Sequence, residues 1–246
     1  MVTGLRVIDI SNPASPTLAG AYTTARDIND VAVQGNYAYV AGRDPNINVI
    51  DISDPSNPTV IGSCITGDIS HRIQVSGDYA YLANGFQGLR IVDIHNPQNP
   101  VPMGAYRMPS PVLDVFVVYP YAYMADQERG LYIINVSDPA NPTLVGNYDT
   151  PYLAYGVYVQ GDYAYVADAY ALQIINISDP ANPTYAGGLS TVSSVRVLVD
   201  GAIAYMSDGN HLIAVDVSDP ANPIFLSSRQ FGGRALISIS LVLMLI

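Results

Sequence analysis

Arginine, aspartate and histidine recur at corresponding positions of this chain and could form one polar site. Counting five or six residues back from the hairpin position of each repeat selects Asp30, His71, Arg72, Asp114, Tyr155 and Arg196. Arginines clamp anionic groups, a histidine titrates near neutral pH, and aspartates orient both. If these residues meet, they form a small polar or anionic-ligand site. The alternative is an internal ring of salt bridges that holds the structure together.

The sequence contains no stronger catalytic or metal-binding motif. The three histidines, His71, His95 and His211, lack the spacing of metal ligands. There is no phosphate-binding glycine loop, no Gly-x-Ser-x-Gly elbow and no acidic loop with calcium spacing. The sequence therefore predicts no catalytic residue, no metal site and no cofactor, and it favours a binding module over an enzyme.

A repeat positions these residues. A phrase similar to Ser-Asp-Pro-Ala-Asn-Pro occurs six times, and its closing prolines lie 42, 42, 42, 41 and 40 residues apart. This period is typical of propeller blades. The copies span residues 11–16, 53–58, 95–100, 137–142, 178–183 and 218–223.

Each period holds four short runs with strand composition. In the second period they are residues 70–75, 79–83, 89–94 and 101–106, all rich in β-branched or aromatic residues. Gly77-Asp78 predicts a hairpin between the first two, and the proline-rich phrase predicts a turn between the last two. Because four-stranded units of this size cannot bury both faces alone, we predict that they stack radially as a β-propeller.

The chain begins and ends inside a blade. Residues 5–10 and 17–22 match third and fourth strands, whereas residues 234–240 align with an innermost strand. We therefore predict an all-β, six-bladed propeller of four-stranded antiparallel blades, formed as one domain over residues 1–246. A blade shared between residues 1–24 and 232–246 would close it. Leu241 replaces the hairpin glycine of that blade, so the sequence does not decide whether the blade has a complete second strand.

The third strands resemble those of a known family. The sequences LRIVDI at 89–94, LYIINV at 131–136 and LIAVDV at 212–217 each follow a Tyr-Ala-Tyr or similar run and precede the proline-rich turn. They resemble LVIVD repeats over residues 4–230. The family is similar to surface-associated or secreted bacterial and archaeal proteins, so the resemblance implies a propeller and a surface or extracellular location. It implies no particular chemistry.

Composition narrows the class of partner. The chain has ten arginines, no lysine and a net charge of −11, which argues against nucleic acid because no basic stripe can neutralise phosphates. Residues 235–246 are too few for a membrane-spanning helix of about 20 residues. Residues 1–3 carry no signal-peptide pattern, so an extracellular location is expected from the family resemblance alone. We expect a monomer whose partner is a protein or a carbohydrate.

Tyrosine is the abundant aromatic residue. Of the nineteen tyrosines, nine lie in the predicted second strands, where packing between blades is the expected role and a carbohydrate platform the alternative. Tyr152, Tyr155 and Tyr158 depart from the repeat and are freer to bind a ligand.

Two functions follow from these observations. The first is a noncatalytic module that presents loops on a rigid disc to a protein or glycan. The alternative is a hydrolase or lyase with a polar active site at the tunnel mouth. Catalytic propellers carry enlarged loops over the mouth, whereas the loops here, such as residues 84–88, are about five residues long, which favours the module.

Overall fold

The protein is built from β-strands. The computed structural model describes residues 4–24, 26–190, 194–208 and 210–231, and every named element in these ranges is a strand, which confirms the all-β prediction. The strands are β1 (Gly4–Asp9), β2 (Thr17–Thr23), β3 (Ile28–Gln34), β4 (Tyr37–Gly42), β5 (Asn46–Asp51), β6 (Thr59–Ile65), β7 (Arg72–Ser76), β8 (Tyr79–Ala83), β9 (Leu89–Asp93), β10 (Val101–Tyr106), β11 (Val112–Val118), β12 (Tyr121–Asp126), β13 (Gly130–Asn135), β14 (Thr143–Tyr148), β15 (Ala154–Gln160), β16 (Tyr163–Asp168), β17 (Ala171–Asn176), β18 (Thr184–Ser190), β19 (Arg196–Asp200), β20 (Ile203–Ser207), β21 (His211–Asp216) and β22 (Ile224–Gln230).

The strands form the blades of a six-bladed β-propeller. Five sheets have four antiparallel strands each, paired in chain order from β3 to β22, and β1 pairs with β2 in a two-stranded sheet. The first strands of successive sheets contact one another from β3 through β7, β11 and β15 to β19, as innermost strands must. The strand predicted at residues 234–240 lies outside the described residues, so closure of the sixth blade by that segment remains a prediction.

The turns form as their residue types predict. Gly77 has a φ of 59° in the hairpin between β7 and β8, a left-handed conformation that glycine adopts at little cost. In the proline-rich phrase between β13 and β14, Asp138 Oδ1 accepts the backbone N–H of Ala140 at 3.1 Å, and Asp138 Oδ2 accepts the side-chain amide of Asn141 at 2.9 Å. The Asn141 hydrogen bond lowers the pKa of Asp138. The negative charge of Asp138 therefore stabilises its turn.

The second tyrosine of each Tyr-Ala-Tyr run packs against the next blade. Tyr81 of β8 is only 2% exposed and shares a core with Val112, Val115 and Met124 of the following sheet. The equivalent tyrosines, in the cores that include the following sheet, are Tyr39, Tyr123 and Tyr165. Packing between blades, predicted from the alternation of side chains, is therefore their role.

A glycine in the outermost strand allows neighbouring blades to approach closely. A β-bulge precedes Gly146 in β14, and a Cβ added at this glycine would collide with the carbonyl oxygen of Pro180 in the next turn phrase. The same approach recurs in four other blades, at Gly20, Gly62, Gly104 and Gly187. In the last full blade, Ser227 takes this position and is exposed.

We expect Gly146→Ala to lower the free energy of unfolding by about 2 kcal/mol, because the new methyl group overpacks a backbone contact between blades. Ser227→Ala is the matched control at the equivalent position, and it should change stability by less than about 0.5 kcal/mol. Urea unfolding of both variants measures the difference. Equal effects of the two substitutions would show that the close approach does not constrain the fold.

Candidate functional site

The structure places the predicted charged residues at one register position of the inner strands. Asp30 pairs with Ala41, Arg72 with Ala83 and Asp114 with Ala125. Gly156 and Arg196 occupy the corresponding positions in β15 and β19. This position therefore carries Asp, Arg, Asp, Gly and Arg in five successive blades.

Arg72 joins three blades by binding two buried carboxylates. Its Nη1 lies 2.9 Å from Asp30 Oδ1, and its Nε lies 3.3 Å from Asp114 Oδ1. Each aspartate also accepts a backbone N–H from the following blade: Asp30 Oδ2 from Ile73 at 3.0 Å and Asp114 Oδ2 from Val157 at 3.1 Å. The cluster of Asp30, Arg72 and Asp114 thus links four successive blades, as the salt-bridge alternative predicts.

Burial controls the ionisation of this cluster. Burial raises the pKa of Asp114 to about 6, although the charge of Arg72 and the N–H of Val157 oppose the shift. A cavity of about 150 Å³ adjoins the cluster and is lined by Asp30, Arg72 and Asp114 together with apolar side chains and Gln74. The cavity therefore combines buried charged groups with apolar side chains in one wall.

Arg196 lacks the pairing that Arg72 has. Its Nη1 is buried without a hydrogen-bond partner among the residues that the structure describes. The preceding blade supplies Gly156 at the aspartate position, and a Cβ there would lie 3.4 Å from Asp114 Oδ2 and 3.2 Å from Arg196 Cα. The absence of a side chain at Gly156 interrupts the alternation of charges just before Arg196.

His71 and Tyr155 do not join this cluster. β-Bulges at the starts of β3, β11 and β15 leave the residue before the aligned position outside the pairing, and in β15 that residue is Tyr155. A bulge leaves its extra residue unpaired and re-aims its side chain, and Tyr155 lines a different cleft. His71 precedes β7, and burial lowers its pKa against the opposing charge of Asp68. The six predicted residues therefore do not all line one cavity, and their role in ligand binding stays a prediction.

A second cleft opens among three loops at the same mouth of the propeller. It has a volume of about 480 Å³, and its wall includes Glu128, Asp149, Tyr152, Tyr155 and Tyr170. The rings of Tyr152 and Tyr170 are perpendicular, with an interplanar angle of 88° and centroids 5.8 Å apart. They are 49% and 62% exposed. We call this surface the tyrosine cleft.

Buried Asp168 holds the loop that carries Tyr152. Its Oδ1 accepts the hydroxyl of Thr150 at 2.8 Å, and its Oδ2 accepts the backbone N–H of Tyr152 at 3.1 Å. Burial raises the pKa of Asp168, with these hydrogen bonds opposing the shift. Asp126 holds Ser110 in the same way in the preceding blade. The loop is therefore held in place by its hydrogen bonds to Asp168.

The sequence signals part of the tyrosine cleft. Tyr152 and Tyr155 were recognised as departures from the repeat, whereas Tyr158 instead packs against Phe116, with ring centroids 4.5 Å apart. Tyr170, Glu128, Asp149 and Asp168 were missed. The spacing was the available signal. Asp168 lies four residues before Leu172, whereas Asp126 lies five residues before Leu131. The hairpin that contains Tyr170 is therefore one residue shorter.

The described ranges contain no group of three or more histidine, cysteine, aspartate or glutamate side chains placed to hold a metal ion. The part of the chain that the structure describes also contains no helix of the length and hydropathy needed to cross a membrane.

We expect Arg72→Ala to lower the free energy of unfolding by about 3 kcal/mol, because it leaves two buried carboxylates without their cation. Arg196→Ala is the matched control, and its cost should stay below about 1 kcal/mol because the buried Nη1 has no hydrogen-bond partner within the described ranges. Chemical denaturation gives both values. A larger effect of Arg196→Ala would contradict the structural role assigned to Arg72.

We expect Asp114 to make stability fall as pH rises from about 4 to about 6. Because its pKa is higher in the folded protein than in the unfolded chain, the folded protein binds more protons in that window. The difference in unfolding free energy, wild type minus Asp114→Asn, should decrease by on the order of 1–3 kcal/mol between pH values of about 4 and about 6. The shift of His71 is present in both proteins and cancels. A flat or rising difference would refute the assignment.

Comparison with known proteins identifies the repeat. The LVIVD repeat model matches six segments, residues 2–24, 25–66, 67–108, 112–150, 153–191 and 193–229. No functionally curated protein matches the chain.

Solved structures similar to this chain support the fold. A functionally unknown protein from Desulfotomaculum acetoxidans superposes with a TM-score of 0.71 at 12% identity, over 89% of this chain and 75% of that one. The β-propeller domain of Cps50 (Swd1) from Myceliophteria thermophila gives a TM-score of 0.70 at 12% identity, over 87% and 76%. The computationally designed protein Ika8 gives 0.67 at 8% identity, over 89% and 66%. At these identities the likeness concerns the fold alone, whereas the six repeat matches span nearly the whole chain, and the protein therefore belongs to the LVIVD-repeat family of β-propellers.

Proposed function

We propose that this protein is a noncatalytic interaction module whose ligand binds in the tyrosine cleft. The observation that carries the proposal is the exposed, perpendicular pair Tyr152 and Tyr170 in a cleft of about 480 Å³. Tyrosine is enriched where proteins bind partners because it offers a large apolar area and a polar tip at low entropic cost. Tyr39, Tyr81, Tyr123 and Tyr165 of the second strands are buried between blades, whereas Tyr152 and Tyr170 lie outside the strands and are exposed.

The backbone around the cleft supports the proposal. Ala169 precedes Tyr170 in the short hairpin and has a φ of 47°, the left-handed conformation that glycine normally supplies. Such conformations cost free energy and cluster at ligand sites. The Ala169 conformation and the Asp168 hydrogen bonds give the loops of Tyr152 and Tyr170 a shape that departs from the repeat.

The polar cluster at the tunnel is better explained as a structural device. Asp30 and Asp114 each use both oxygens on protein groups, and Arg72 spans them. A ligand at this cluster would compete with contacts between blades. Localisation at the surface or outside the cell, a monomeric state, and the choice between a protein and a carbohydrate ligand remain predictions.

We expect the double substitution Tyr152→Ala with Tyr170→Ala to abolish ligand binding while leaving the melting temperature within about 2 °C of the wild type, because both side chains are exposed. A glycan array and a random-peptide display screen, read with wild type and variant in parallel, measure this. Tyr185→Ala removes a tyrosine that is 54% exposed on an outer strand and serves as the control. Ligands that bind the wild type, the double variant and Tyr185→Ala equally would refute the proposal that the tyrosine cleft is the binding site.

A further inference from the structure

The polar groups of the tyrosine cleft are mainly hydrogen-bond acceptors. Glu128, the only glutamate of the chain, and Asp149 contribute exposed carboxylates. The hydroxyl of Thr150 already donates to Asp168, and the hydroxyls of Tyr152, Tyr155 and Tyr170 can both donate and accept. The residues lining the cleft, all within the described ranges, include no arginine or histidine, and the sequence has no lysine. The cleft therefore combines aromatic rings with two exposed carboxylates, and Arg129, which follows Glu128 in the sequence, is not among its lining residues.

The ring geometry suits a cation. The rings of Tyr152 and Tyr170 are perpendicular and about half exposed, so their faces point in different directions and the pair is open to solvent. A cation is attracted to a ring face within about 6 Å of its centroid, and an arginine guanidinium can also stack on that face. Carboxylates beside the rings add attraction and accept the guanidinium hydrogen bonds.

We propose that the tyrosine cleft recognises an arginine or lysine side chain in a basic segment of a protein partner. This inference rests on the proposed function and names its ligand class. The charge of the whole chain is complementary, since a net charge of −11 without lysine attracts basic partners from a distance. Sugar hydroxyls both donate and accept hydrogen bonds, whereas ammonium and guanidinium groups only donate. An acceptor-rich wall therefore fits the cation better than a glycan.

A labelled peptide that alternates arginine with glycine tests the inference. Its neutral counterpart replaces each arginine with citrulline, which keeps the shape and removes the charge. Fluorescence anisotropy at low and physiological ionic strength would be measured for the wild type, Tyr152→Ala, and the pair Glu128→Gln with Asp149→Asn. The backbone N–H that Asp168 binds is retained in Tyr152→Ala. Melting temperatures verify that each variant folds.

The controls separate recognition in the cleft from general attraction to an acidic protein. Asp78→Asn with Asp162→Asn removes the same charge from two hairpins, where asparagine is equally suited to the turn. Tyr185→Ala again removes a distant exposed ring. We expect the Kd for the arginine peptide to rise at least about tenfold in each cleft variant and less than about twofold in the controls. The citrulline peptide should not bind.

Three results would overturn the inference. If cleft variants and charge-matched controls weaken binding equally, attraction is general and the cleft is not the site. If the citrulline peptide or a glycan binds in a manner that needs Tyr152, the protein is an interaction module but its ligand is not cationic. If no peptide or glycan binding depends on the tyrosine cleft, both the inference and the proposed function fail.

Discussion

Packing between neighbouring blades is the interaction on which the rest of this structure depends. A four-stranded blade has two apolar faces and cannot bury either alone, so each blade needs a partner. The second tyrosine of Tyr-Ala-Tyr fills the interface, as Tyr81 does against β11 and β12. At the rim, glycines such as Gly104 let the outermost strand reach the carbonyl of the next turn phrase. Near the axis, Arg72 and its aspartates join the first strands.

Because the repeated residues are used in this packing, the proposed ligand site is formed by residues that break the repeat. The closing prolines of the first four copies are spaced 42 residues apart, whereas those of the fourth and fifth copies, Pro142 and Pro183, are 41 apart. The residue lost there shortens the hairpin between β16 and β17 to Ala169 and Tyr170. That hairpin presents Tyr170 to Tyr152 from the preceding loop. A change of one residue in the period thus produces the most exposed aromatic pair at this mouth among the described residues.

The fold was predictable because each of its signals is local and is repeated. Glycine dipeptides, proline-rich turns and strand composition agree in successive copies, and β8 and β10 begin and end at the predicted residues. The register of Asp30, Arg72 and Asp114 followed from counting to the hairpin. The split blade involves residues 232–246, which lie outside the described ranges, and it remains a prediction.

The site was predictable only in part, since its geometry depends on irregularities. Counting treats every residue of a run as part of the ladder, but the bulge before Gly156 moves Tyr155 out of it and into the tyrosine cleft. The contact between Tyr152 and Tyr170 joins two loops, and no pattern within one blade specifies their distance. Asp168 was also missed, because a carboxylate that ends an apolar strand has no spacing rule until its partners Thr150 and Tyr152 are known.

Arg72 and its two aspartates join the blades near the axis, whereas the proposed ligand site is the tyrosine cleft. The most direct measurement is a crystal structure of the protein with an arginine-containing peptide. The account predicts a guanidinium within about 6 Å of the ring centroid of Tyr152 or Tyr170, with the ion pairs of Arg72 unchanged. A peptide bound at the tunnel cavity, with Asp30 or Asp114 released from Arg72, would contradict it.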